Sequence, residues 1–191
     1  MTQLNTQTSR ITTGSRRTRH AFGWAASVGA LALLAGCSAP EEAAVDTAME
    51  ADLAILSRSV DVNATPADVW SAIGDFCSVP DWHPAIGSCT MDGETPPTRT
   101  LVTVDGAATF IELETARDDV AHTYSYSITS SPLPITQYEA TIRVEDNGSG
   151  MATITWSSEY RPDEGAEAAM QETIMGIYDA GLGALVANYL E

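Results

Sequence analysis

The side chains able to do chemistry in this chain are few, and most carry rings. His83 lies between Trp82 and Pro84. Further on, His122, Tyr124, Tyr126 and Ile128 alternate with Thr123, Ser125, Ser127 and Thr129, and Tyr138 and Trp156 share the apolar faces of two later alternating runs. An imidazole can give or take a proton near neutral pH. Phenol hydroxyls and an indole N–H can orient a ligand while their rings supply apolar surface. His83 therefore either donates to a ligand carbonyl or moves a proton, or else it caps a short helix or bonds backbone. Asp81, two positions away, points elsewhere and gives it no orienting carboxylate. His122 either touches a ligand at a cavity mouth or is simply buried. Glu112 and Glu114 share a face with Phe110 and look inward only if Thr109, Ile111 and Leu113 look out, a one-residue question of register. Apart from that open register the inward faces offer no clear carboxylate.

Other chemistries find no template. The three histidines and three cysteines form no H-E-x-x-H, C-x-x-C or paired-ligand spacing, so no metal site is expected. There is no G-x-S-x-G elbow and no glycine loop to cradle phosphate, and nothing calls for a cofactor. The formal net charge is −17. Four of the nine basic residues, Arg10, Arg16, Arg17 and Arg19, precede the first acidic residue, Glu41, and the chain has no lysine. A body so acidic repels phosphate backbones, which excludes nucleic acid as a partner.

The elements that would position these residues are legible. Ser57 to Asn63 alternates as a strand. Thr65-Pro66-Ala67-Asp68 then starts a helix, with Thr65 as cap, Pro66 in the first turn and Asp68 complementing the dipole. Pro80 and Pro84 bracket a second short helix ending by Gly87. Strands are expected at about 88–92, 99–104, 108–116, 120–129, 136–146 and 151–160, and a final helix from about Asp163 to Tyr189. In the last two strands Tyr138, Ala140, Ile142 and Val144, then Ala152, Ile154, Trp156, Ser158 and Tyr160, face one way. Hairpin-linked strands in this number form one curved antiparallel sheet that only the last helix can cover, an α+β fold. Rings with polar tips on the concave face suit an apolar cavity with a few orienting hydrogen bonds; a solid core would be the alternative.

The first 36 residues are expected to be a signal peptide. A basic stretch precedes the apolar run Ala21 to Ala35, and Leu34-Ala35-Gly36-Cys37 resembles the bacterial lipobox, whose cysteine is acylated. Residues 37–52 then form a tether and 53–191 the folded domain, held at a cell-envelope membrane through Cys37, with inner or outer membrane left open. Cys77 and Cys89 remain as an even pair in an exported domain, expected as a disulfide that fixes the Trp82–His83 turn, with two free thiols as the alternative. Gly176, Gly181 and Gly183 interrupt the final helix, either to let it bow away from a ligand or approach the sheet closely, or because those positions are exposed. Ser130 to Pro134, stiffened by two prolines, is a candidate gate or a plain rigid hairpin.

Residues 57–191 resemble the START/Bet v 1-like (SRPBCC) superfamily, in particular its polyketide cyclase/dehydrase-type members. The resemblance is carried by Ala64-Thr65-Pro66-Ala67-Asp68-Val69-Trp70, Gly74-Asp75-Phe76, Asp81-Trp82-His83-Pro84 and Ser131-Pro132-Leu133-Pro134. It implies the helix-grip fold: a curved seven-stranded antiparallel sheet around a long C-terminal helix, with two short helices after the first strand. It also implies a long apolar tunnel for lipids, polyketides or similar molecules. The expected ligand contacts are Trp82, His83, His122, Tyr124, Tyr126, Tyr138 and Trp156. Three functions remain as expectations: a binder or carrier of a small hydrophobic or aromatic molecule, a cyclase- or dehydrase-like enzyme using His83 or a cavity tyrosine, or an interaction module with a filled core.

Overall fold

The computed structural model describes residues 53–189; the expected signal segment 1–36, the expected tether 37–52 with Cys37, and residues 190–191 lie outside the described residues. The elements run β1 (Ala54–Val62), α1 (Pro66–Ile73), α2 (Val79–Trp82), β2 (Ile86–Met91), β3 (Thr98–Thr103), β4 (Thr109–Asp118), β5 (Thr123–Ser130), β6 (Ile135–Asp146), β7 (Ala152–Pro162) and α3 (Glu167–Asn188). The helix start read from sequence is present: the Asp68 N–H donates to Thr65 Oγ1 at 3.2 Å, with Pro66 in the first turn.

The seven strands form one antiparallel sheet in the order β1-β7-β6-β5-β4-β3-β2. Register shifts interrupt β2, β4 and β6, at Ile86/Ser88, Ile111/Glu112, Glu114/Ala116 and Thr136/Glu139. An extra residue on one strand bends it and increases its twist, so these positions help curl the sheet. The alternation fixes the inner face. Tyr124, Tyr126, Tyr138, Ala140, Ile142, Val144, Ala152, Ile154, Trp156, Ser158 and Tyr160 are all buried. Met170, Ile174, Tyr178, Leu182 and Leu185 recur at three- and four-residue spacing on α3 and close over that face. This is the α+β helix-grip architecture.

β1 starts at Ala54 rather than Ser57, α2 ends at Trp82 and β2 starts at Ile86 rather than 88. Two further boundaries differ from expectation for local reasons. β5 begins at Thr123 rather than 120, because Asp118 Oδ1 accepts from the N–H groups of Val120 and Ala121 at 2.9 Å each and makes that stretch a turn. His122 leaves it at φ 47°. α3 begins at Glu167 rather than Asp163, because β7 runs on to Pro162 and the chain then turns through Gly165 at φ 82°. Cys77 and Cys89 are bonded, their Cα atoms 5.6 Å apart, tying the segment that carries α2 to β2. Closing a loop of this length across 12 positions stabilises by about 3 kcal/mol in the chain-entropy picture.

Candidate ligand-binding site

Beneath α3 the sheet encloses a cavity of about 130 Å³. Its walls come from α2 and the turn after it (Val79, Trp82, His83, Ala85), from β3 and β4 (Arg99, Leu101, Phe110, Glu112), from β5 to β7 (Tyr126, Ile128, Tyr138, Trp156) and from α3 (Ile174, Ile177, Tyr178). Leu133 of the proline-flanked corner adds to them. Of the expected contacts, the structure brings Trp82, His83, Tyr126, Tyr138 and Trp156 together here and leaves out two. Tyr124 is fully buried behind the cavity wall, between Trp70, Phe76 and Tyr126. His122, half-buried in the turn before β5, packs on Trp70 at 5.7 Å. Tyr124 lies one strand repeat before Tyr126 on β5 and His122 precedes the strand, so neither reaches the hollow.

The volume corrects the long tunnel. An apolar cavity of about 150 Å³ takes one benzene, whereas drug-sized sites occupy roughly 300–1,000 Å³. The rings hold one another at the walls: Trp156 stacks on Tyr178 at 4.3 Å, and Trp82 meets Trp156 edge-on at 5.7 Å. Their polar tips are mostly engaged. Trp156 Nε1–H donates to Tyr126 Oη at 3.1 Å, and the Tyr138 and Tyr178 hydroxyls share a hydrogen bond of 2.6 Å. Burial pushes the Tyr126, Tyr138 and Tyr178 phenols up, so they remain neutral hydroxyls at physiological pH. The Trp82 indole N–H has no partner among the described residues.

His83 is engaged on both sides. Its Nε2–H donates to the Ile177 carbonyl of α3 at 3.0 Å, and the Ala85 N–H donates to Nδ1 at 3.2 Å. These contacts fix a neutral tautomer, and burial pushes the imidazole pKa down, opposed by the bond to Ile177. Of the two roles open in the sequence, the backbone-bonded one is present. Gly181 makes the contact possible, since a Cβ there would lie 2.6 Å from His83 Cδ2.

The register left open on β4 resolves inward for Glu112, and the cavity lining gains a buried carboxylate. Glu112 lies directly across from Arg99 and is 5% exposed; Arg99 is 2% exposed. Arg99 Nε–H donates to Glu112 Oε2 at 2.6 Å, and its Nη1–H donates to the Phe76 carbonyl. The guanidinium also lies 4.0 Å from the Phe76 ring centre and 4.9 Å from that of Tyr126. Burial pushes the Glu112 carboxyl up while Arg99 opposes it. Since an arginine keeps its proton, the pair is ionised: losing the carboxylate charge would strand a buried cation. Oε2 is taken by Arg99, and among the described residues Oε1 accepts from no group. The site is thus a ring-walled hollow with one charged, half-satisfied carboxylate in its lining.

Comparison with known proteins agrees with this architecture. Among solved structures, the protein XoxI from Bacillus cereus is 33% identical with a TM-score of 0.68, over 72% of this chain and 96% of its own. A protein from Thermobifida fusca is 30% identical with a TM-score of 0.64, over 71% of this chain and 92% of its own. The di-domain aromatase/cyclase BexL shares the fold at 16% identity and a TM-score of 0.63, over 71% of this chain and 46% of its own. Among curated proteins none matches. The model of the family described as polyketide cyclase / dehydrase and lipid transport matches residues 53–189, and the chain belongs to that family.

Proposed function

We propose that this protein is an envelope-tethered binding or carrier protein for a small hydrophobic or aromatic molecule, held between the sheet and α3. The observation that carries the reading is the ring-lined hollow of about 130 Å³, an apolar space with few polar groups of the kind that binds small molecules. Two further facts favour holding a guest over transforming it. Both nitrogens of His83 are bonded to backbone, and the cavity tyrosines stay protonated and so are donors rather than bases. Tethering is supported by Leu34-Ala35-Gly36-Cys37 and by the Cys77–Cys89 bond, which suits an oxidising compartment.

The test is to fill the space. Native mass spectrometry is expected to show a hydrophobic guest on the wild-type protein, and Leu133→Trp, in the corner after β5, is expected to abolish it while leaving the circular dichroism spectrum unchanged. A guest retained at full occupancy by the filled variant would place binding elsewhere. For the tether, incorporation of labelled palmitate is expected in the wild-type chain and absent in Cys37→Ser, which should leave the membrane fraction. A second reading, a cyclase- or dehydrase-like enzyme, is favoured by one observation: Glu112, not His83, offers in the cavity lining a basic atom without a donor among the described residues. Conversion of a bound guest to product would select it.

A further inference from the structure

We infer that the cavity is built for a neutral, single-ring aromatic that carries a hydroxyl, a phenol-class molecule whose O–H donates to Glu112 Oε1. The inference rests on the guest-binding reading above and narrows it. Three observations lead to it. The hollow of about 130 Å³ is close to the roughly 150 Å³ that accommodates one benzene ring, so a single ring matches it. The walls offer ring faces and edges from Trp82, Phe110, Tyr126, Trp156 and Tyr178, against which an aromatic gains more than an aliphatic of equal size. And the lining contains one strong acceptor to which no group donates among the described residues, Glu112 Oε1, while its twin Oε2 is held by Arg99.

Charge selects within the aromatics. Arg99 and Glu112 cancel, so the cavity presents no net charge to a ligand. An aryl carboxylate entering would meet the Glu112 carboxylate, and an aryl ammonium would meet Arg99; either would add an unpaired ion to a desolvated space. A neutral hydroxyl supplies the missing donor at no such cost. A hydrogen bond to a buried carboxylate is also the stronger, charge-assisted kind.

The experiment compares phenol with toluene, which has nearly the same shape, by isothermal titration into the purified full chain bearing Cys37→Ser so that no acyl group is present. Benzoate and benzylammonium are titrated alongside. Phenol is expected to bind about tenfold more tightly than toluene, as one charge-assisted hydrogen bond against a methyl contact implies, and both ions more weakly than phenol. In the variant Arg99→Met with Glu112→Leu, which removes both charges together, the phenol preference should vanish and toluene should become the tighter ligand. Toluene binding as well as or better than phenol in the Cys37→Ser chain would overturn the inference and leave the guest-binding reading standing. Binding of neither phenol nor toluene would overturn both.

Discussion

Arg99→Leu is expected to cost the fold about 3–5 kcal/mol, the effect of leaving a buried partner charge alone. Against a domain stability of roughly 5–15 kcal/mol, that is enough to unfold much of the population. The cause is Glu112. With Arg99 present, burial and the guanidinium act on the carboxyl in opposite directions; with leucine there, only burial remains and the carboxyl pKa rises further. The sign of the pH dependence follows. A carboxyl whose folded pKa lies above its unfolded one gives stability that is present below the unfolded value and lost as pH rises through the folded one. The penalty of Arg99→Leu should therefore be largest at neutral pH and shrink as pH falls into the ordinary carboxylate range. The double variant Arg99→Leu/Glu112→Leu removes both ions and should recover most of the loss, since apolar replacement of a buried pair is often neutral or better. Urea unfolding of the wild type, the single and the double variant, at neutral and acid pH, decides it. A double variant as unstable as the single one would mean that Arg99 acts through Phe76 and the aromatic rings instead.

How the sequence foreshadowed these positions depends on the strand. Faces are readable wherever polar and apolar residues alternate strictly: Thr123 to Ser130 and Gln137 to Glu145 contain no competing pattern, and their inward rows are buried apart from the half-buried Ile128. β4 is not readable in this way, because Phe110-Ile111-Glu112-Leu113-Glu114 has an apolar residue on both faces, and the alternation alone leaves the direction of Glu112 open. The signal that could have settled it sits on the neighbouring strand. Arg99 shares a face with Leu101, and a cation on an inward face demands an anion across the ladder, which Glu112 supplies at the opposing position. Position along a strand was a second blind spot. Alternation assigns a face but not a height, so His122 and Tyr124 read the same as Tyr126 although only Tyr126 reaches the hollow. The third was α3: three glycines look alike in sequence, and only packing distinguishes them.

That distinction makes an alanine scan of the three glycines informative, because the expected signs differ within one helix. At Gly176 and Gly183 an added Cβ meets nothing within 4 Å. Alanine there should stabilise by about 0.5–1 kcal/mol, through helix propensity and a less flexible unfolded chain. At Gly181 the same methyl would sit 2.6 Å from His83 Cδ2 and 3.0 Å from the Trp82 ring. It can be accommodated only by moving α2 and the His83 turn away from α3, which breaks the bond from His83 Nε2 to the Ile177 carbonyl. Overpacking of this kind costs about 1–3 kcal/mol, more than the propensity gain returns. Gly181→Ala should therefore destabilise, and truncating its obstacle, Gly181→Ala/His83→Ala, should recover part of the loss, a coupling that two independent sites would not show. The pH profile gives an independent readout. Burial lowers the His83 pKa in the folded state, so His83 contributes stability that is present above the ordinary imidazole value and lost as pH falls toward the folded one. Once Gly181→Ala expels the ring into water its pKa returns toward the ordinary value, and the acid-side loss of stability between pH 6.5 and the folded value should flatten. Thermal unfolding of the three variants across that range tests both effects. A stabilised Gly181→Ala with an unchanged acid slope would show that α3 does not grip the His83 turn.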